Sequence, residues 1–295
     1  MAHVRSGDGR ACHAHLQFRR TRSGDRRHGS IQLYWGRTSP LEIQLWRGSK
    51  VRLTAGRTYR QGSEHLLTSS IPISKLSVYE GELRAHLLRA QDHLSGNRRR
   101  QAFLKGEAIC HAGLMWRYGH DWCSGDPLVA VDSEVRIGFR HRGEEHAVNA
   151  TLRQRLGLRS GSLPNKLDAL GVLPTGDLVL VEVKDAMGSI ERAVVQIAVH
   201  MARFSRLMSG GPRLDKVQAM LDQKRDVGVI PWECPRLGEA PRIVPWIAAP
   251  DDSDDWPMGW TEAIYSCDEN LSPFLSNLRL VRLSTCGSIL DEAIR

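Results

Sequence analysis

Two carboxylates and an amine lie within the stretch from Asn165 to Lys184: Asp168, Glu182 and Lys184. Mg²⁺ and Mn²⁺ prefer oxygen ligands, and carboxylates of this kind can hold them. A cation so held polarises a scissile phosphate and lowers the pKa of an attacking water. A neighbouring lysine can orient or deprotonate that water and stabilise charge developing on the phosphate. The chemistry that suits the three residues is metal-assisted hydrolysis of a phosphodiester. They also admit a plainer role. Facing carboxylates repel unless a cation or proton lies between them, and Lys166 and Lys184 could supply that charge alone.

The elements that must position these groups follow from the same stretch. Leu167 to Leu173 and Leu178 to Val183 are short apolar runs with turn residues between them, the pattern of a β-hairpin. Pro174-Thr175-Gly176 suits a three-residue loop, with Pro starting a type I turn and Gly closing it in the left-handed region. With that loop Leu173 pairs with Asp177, which sets Asp168 opposite Glu182 and Lys166 opposite Lys184. Opposed residues share a face, and the strand period of two puts Glu182 and Lys184 on it together. A slip of one residue would separate Asp168 from them. A helix is predicted next, from the N-cap Ser189 to the break at Gly210-Gly211-Pro212. Ile190, Val194, Ile197, Met201, Phe204 and Met208 form its buried stripe, and Gln196, His200 and Arg203 line a polar stripe beside it.

On Asp168, Glu182-Val183-Lys184 and Gln196 in the following helix, the chain resembles the PD-(D/E)xK nuclease superfamily. The resemblance spans roughly Asp132 to Gly211. It implies an α/β fold with a restriction-endonuclease-like core, a mixed central β-sheet flanked by helices, one before and one after the catalytic hairpin. It implies ligation of Mg²⁺ or Mn²⁺ by Asp168 and Glu182 with help from the Val183 carbonyl. Lys184 would be catalytic and Gln196 supporting. Members often bring a further Glu from a helix ahead of the sheet. Glu82, Glu107 and Glu134 are candidates, with Glu82 favoured. The chain departs from the family pattern at Lys166-Leu167-Asp168, where the family name has Pro-Asp; Pro164 is displaced.

Charge agrees with a nucleic-acid partner, DNA being the expected one. The 295 residues carry a formal net charge of +8, and basic surfaces attract phosphate backbones. Arg136, Arg140, Arg142, Arg153, Arg155 and Arg159 precede the hairpin closely, so Arg153, Arg155 and Arg159, with Lys166 and Arg203, are the expected phosphate contacts. No apolar run is long enough to cross a membrane, and the N-terminus lacks the apolar core of a signal peptide. A cytoplasmic protein is expected, with its six Cys reduced. A homodimer is compatible with the sequence.

Along the chain, residues 1–30 form a basic segment, expected as a disordered tail or a flexible arm on phosphates. A small β-rich module follows over 31–69, with strands at Ile31 to Tyr34, Leu41 to Trp46 and Lys50 to Thr54. The nuclease-like core is assigned to 70–250 and a C-terminal extension to 251–295. Helices are predicted over Val78 to Leu94 and Gln101 to Tyr118, and near Leu214 to Arg225. Strands are predicted over Val227 to Pro231 and Arg242 to Ala248. Cys110-His111 and His120 to Cys123 hold zinc-type ligands, but they lack a CxxC pair, and Cys110 fits an apolar helical pattern better.

Overall fold

The computed structural model describes residues 3–5, 11–23, 26–35, 38–46, 49–96, 107–135, 142–155, 163–184, 190–208, 214–250, 275, 277–284 and 288–293. They form a mixed α/β molecule with two six-stranded sheets and several helices.

The first sheet runs in chain order through β1 (His3–Arg5), β2 (Ala11–Ser23), β3 (Arg26–Trp35), β4 (Thr38–Trp46), β5 (Lys50–Thr54) and β6 (Ser70–Pro72), all antiparallel. The boundary expected at residue 30 therefore falls inside a strand, and the expected basic arm supplies β1 and β2. Trp35, Val51, Leu53 and Ile71 are buried against Leu66 and Leu67 of α1 (Glu64–Thr68) and Ala90 and Leu94 of α2 (Glu80–Gly96). His86 pins α2 down: its Nδ1 lies 3.1 Å from Ser63 Oγ and its Nε2 2.9 Å from Pro40 O. α2, which lies within the span expected as the nuclease-like core, packs instead on the first sheet.

The second sheet has the order β7 (Val129–Val135), β8 (Leu167–Val172), β9 (Leu178–Val183), β10 (Ile243–Pro250), β11 (Arg279–Leu283) and β12 (Ile289–Ala293). β7, β8 and β9 are antiparallel neighbours, β9, β10 and β11 are parallel, and β12 returns antiparallel. The expected C-terminal extension thus contributes two strands to this sheet. All six residues of β9 are buried, as a central strand covered on both faces requires.

One face is covered by α4 (Arg142–Arg155), α5 (Ile190–Met208) and α6 (Leu214–Asp226). α5 lies between β9 and β10 in sequence, the helical crossover that parallel strands need. Its Val194, Ile197, Ala198, Met201 and Phe204 pack with Leu178, Leu180 and Ile247. The strand expected at Val227 to Pro231 is instead the turn leaving α6, closed by Val229 N donating to Lys224 O at 2.9 Å.

The other face is covered by α3 (Glu107–Met115), whose Cys110, Leu114 and Met115 pack on Val179, Val181 and Trp246. Ala112 of α3 belongs to the core of the first sheet. Every residue from Ala108 to Met115 is buried, so this helix is the wall shared by both sheets.

The hairpin has the predicted register. Ala169 pairs with Val181 and Leu170 with Leu180, which carries Asp168 opposite Glu182. The loop is closed by Leu173 N to Asp177 O and Gly176 N to Leu173 O, both 2.9 Å. Gly176 has φ +81°, and a Cβ there would stand 2.7 Å from Arg236 O and Gly238 N. Gly176→Ala should therefore lower stability by about 1–3 kcal/mol, read from urea unfolding. A neutral substitution would show that the loop does not fix the register.

Candidate active site

β8 and β9 present Asp168, Glu182 and Lys184 to the α5 side of the sheet. Leu170, Leu178 and Leu180 share the core on that side, and the strand period places even-numbered residues with them. The Lys184 ammonium donates to Glu182 Oε1 at 2.8 Å and to the Val183 carbonyl at 3.0 Å. It stands 3.9 Å from Asp168 Oδ2. Asp168 Oδ2 in turn accepts from Val183 N at 2.8 Å. Glu182 is 1% exposed and Lys184 5%, and the second carboxylate oxygen of Glu182, Oε2, is buried without a hydrogen bond. Burial first, then the Asp168 charge, push the Glu182 carboxyl up to about 8 against the pull of Lys184.

The further acid favoured from sequence is not at this site. Glu82 lies on α2 beside the first sheet, 2.7 Å from His65 Nε2, so the expectation for Glu82 is corrected. Its rival Glu107 opens α3 and is close enough to add to the upward push on Glu182. The helix is held to the hairpin by His111 Nε2, 2.9 Å from Asp168 O. Glu134 falls between the pairs Ser133↔Ala169 and Val135↔Leu167, level with Asp168, and its carboxylate takes Lys166 at 3.1 Å. Lys166 is thus partnered by Glu134, and among the described residues Lys184 is the cation that lies on the facing carboxylates. Glu134 has φ +49°, the one positive φ outside glycine among the described residues.

From α5 come Gln196 and His200. Gln196 is half-buried, and its Oε1 is buried without a hydrogen bond. Arg203 is 5% exposed: Nη2 donates to Asn149 Oδ1 at 2.7 Å and Nη1 to the Pro164 carbonyl. These bonds tie α5 to α4 and to the approach of β8, so Arg203 does not face solvent as a phosphate contact would. Arg153 is exposed on α4. Arg155 ends the same helix, and Arg159 lies outside the described residues, as do Arg136 and Arg140.

His200 is fully buried near the Lys166 backbone; burial, then the Arg203 charge, lower its pKa to about 4. Above pH 6.5 the imidazole is neutral in folded and unfolded chains alike. As pH falls from 6.5 toward 4, only the unfolded chain takes up the proton, and stability is lost. His200→Gln should flatten the melting temperature over that window. An unchanged slope would mean that His200 titrates normally in the fold.

The zinc-type residues are dispersed. Cys110 is in the core, His111 is engaged with Asp168 O, and Cys123 is exposed. Among the described residues no group of three His, Cys, Asp or Glu side chains is arranged to hold a metal ion. The donor set at the hairpin is two carboxylates and a main-chain carbonyl, with Glu182 Oε2 unsatisfied. That set fits a hard cation. No helix of the described residues is long and apolar enough to cross a membrane. No protein-family model, no curated protein and no solved structure matches the chain.

Proposed function

We propose that this chain is a metal-dependent nuclease that hydrolyses phosphodiester bonds in DNA. One observation carries the reading. The Lys184 ammonium rests on Glu182 Oε1 and Val183 O, beside Asp168 Oδ2, the three groups that the resemblance assigns to the metal. Positive charge is already held at that point, and the orphaned Glu182 Oε2 is an oxygen that a divalent cation would satisfy. The mixed sheet, with α3 before the hairpin and α5 after it, supports the same reading.

Asp168, Glu182 and the Val183 carbonyl would hold Mg²⁺ or Mn²⁺. Bound there, the ion supplies polarisation of the phosphate and acidification of a water. The chain's own residues do the remaining work. Val183 N–H fixes the Asp168 carboxylate by its 2.8 Å bond. Lys184, released from Glu182, orients the water and stabilises charge on the phosphate. Gln196 steadies the arrangement from α5, and Glu107 at the start of α3 adds its charge to that of Asp168 at Glu182.

The same ammonium favours a second reading, a nucleic-acid-binding or partner-binding protein on this fold without catalysis, in which Lys184 permanently neutralises the carboxylates. The deciding experiment is cleavage of single- and double-stranded DNA by the purified protein with Mg²⁺ or Mn²⁺, beside EDTA. Cleavage that requires the metal is expected. Metal-independent, salt-sensitive binding with no cleavage would transfer the assignment to the second reading.

A further inference from the structure

β2 and β3 pair farther than the rest of their sheet. Their register runs from Ala14↔Trp35 to Ser23↔Arg26, whereas β4 reaches β3 only from Ser30↔Gln44 to Trp35↔Thr38. Among the described pairings, residues 20–23 and 26–29 have only each other: Arg20↔Gly29, Thr21↔His28, Arg22↔Arg27 and Ser23↔Arg26. This overhang is a two-stranded ribbon that carries four arginines and a histidine and has no Asp, Glu or large apolar residue at its paired positions. A sixth basic residue, Arg19, stands at its root.

Two features make this ribbon costly in isolation. A lone two-stranded ribbon is marginal in water, and like charges directly opposed across strands destabilise the pair. Arg22↔Arg27 is such a pair. A polyanion that lies along the ribbon offsets the repulsion between the opposed arginine positions. Lipid surfaces retain basic segments best when apolar residues accompany the charge, and the overhang has none. The major groove of duplex DNA, by contrast, admits a two-stranded β-ribbon, and the arginine fork suits phosphates. β2 is anchored on α3, the helix that also backs the catalytic hairpin.

We propose that the overhang of β2 and β3 is a duplex-DNA clamp, arginine to phosphate, that holds substrate for the site on β8 and β9. The inference rests on the nucleic-acid reading of the chain and adds to it a second surface on the other sheet.

The test uses the full chain with Arg20, Arg22, Arg26 and Arg27 all changed to Gln, and a companion with all four changed to Lys. Binding to a fluorescein-labelled duplex is followed by anisotropy in EDTA, with salt varied between about 50 and 200 mM. The Gln variant should bind at least roughly 10-fold more weakly, and its slope of log affinity against log salt should fall by about 3–4, close to one for each phosphate no longer neutralised. The Lys variant should keep most of both. Arg22→Gln alone should lower the slope by about 1, which keeps the test open if the fourfold variant does not fold. Unchanged affinity and slope in the Gln variants, with cleavage by the parent intact, would overturn the clamp and leave the nuclease standing. Loss of binding in the Gln variants of a parent that never cleaves would uphold the clamp and remove the nuclease. A parent that binds phosphatidylserine vesicles but not duplex DNA would overturn the clamp.

Discussion

Glu182→Gln should sharply reduce metal-dependent cleavage and, in the metal-free protein, raise the melting temperature above pH 8. Both effects come from one buried group. The carboxyl is held at 1% exposure, faces Asp168 and leaves Oε2 unsatisfied, so its ionised form is disfavoured and its pKa rises to about 8. A carboxyl raised from its ordinary 4.5 costs the fold nothing below pH 4.5, where both states are protonated. The cost grows as pH climbs toward 8, because the unfolded chain releases the proton first. Gln keeps the acceptor for Lys184 and removes the ionisation, so its stabilising effect should be absent at about pH 4 and largest above about pH 8. The same change removes a charged ligand, and a loss of about 10²–10³-fold or more in cleavage rate is expected. Mg²⁺ should raise the melting temperature of the parent by mass action and not that of the variant. Thermal melts at the two pH values, with and without Mg²⁺, read all of this. Equal melting temperatures for parent and variant above about pH 8 would show that Glu182 is not held in the strained state described.

Asp132→Ala should be strongly destabilising although it lies away from the hairpin. Asp132 Oδ2 lies 3.3 Å from Lys224 Nζ, and Lys224 is 1% exposed. Asp132 Oδ1 also accepts from Ser133 N at 2.9 Å. The pair joins β7 to α6, and the Lys224 carbonyl receives Val229 N from the turn beyond the helix. Removal of the acid takes the Asp132 carboxylate away from an ammonium that is 1% exposed, a loss of about 3–5 kcal/mol. Asp132→Ala combined with Lys224→Met should recover much of that, since apolar replacement of a whole buried pair is often neutral. Urea unfolding of the two single variants and the double variant gives the coupling directly. Additive losses would mean that water reaches the pair and each ion is solvated on its own.

The parts of this molecule that are legible in the sequence are those set by short-range geometry. The Pro174-Thr175-Gly176 loop and the strand period suffice to pair Asp168 with Glu182. The long apolar stripe of α5 is equally plain. α4 escapes notice because, among its described side chains, Val148 and Leu152 alone are buried, too few to mark a helical period. β7 is hidden by Asp132 and Ser133 inside its apolar run. β1 and the basic end of β2 resemble a solvated tail, because charge dominates their composition and their partners are other strands. Glu82 lies away from the hairpin and Glu107 near it for a tertiary reason. Both open a helix, and which helix lies against the hairpin depends on how Ala112 and Cys110 divide between two cores. The inward turn of Arg203 is likewise a matter of its acceptors, Asn149 and the Pro164 carbonyl, which no spacing reveals.

The strand order of the second sheet also bears on how the chain is made. β9 pairs with β8, which precedes it directly, and with β10, which the ribosome delivers only after α5 and α6. Throughout that interval the apolar run Leu178 to Val183 is an open edge of a nascent sheet. Such edges recruit other chains unless charge interrupts them. Glu182 and Lys184 put charge at the end of that run, the placement by which an open strand edge resists pairing with other chains.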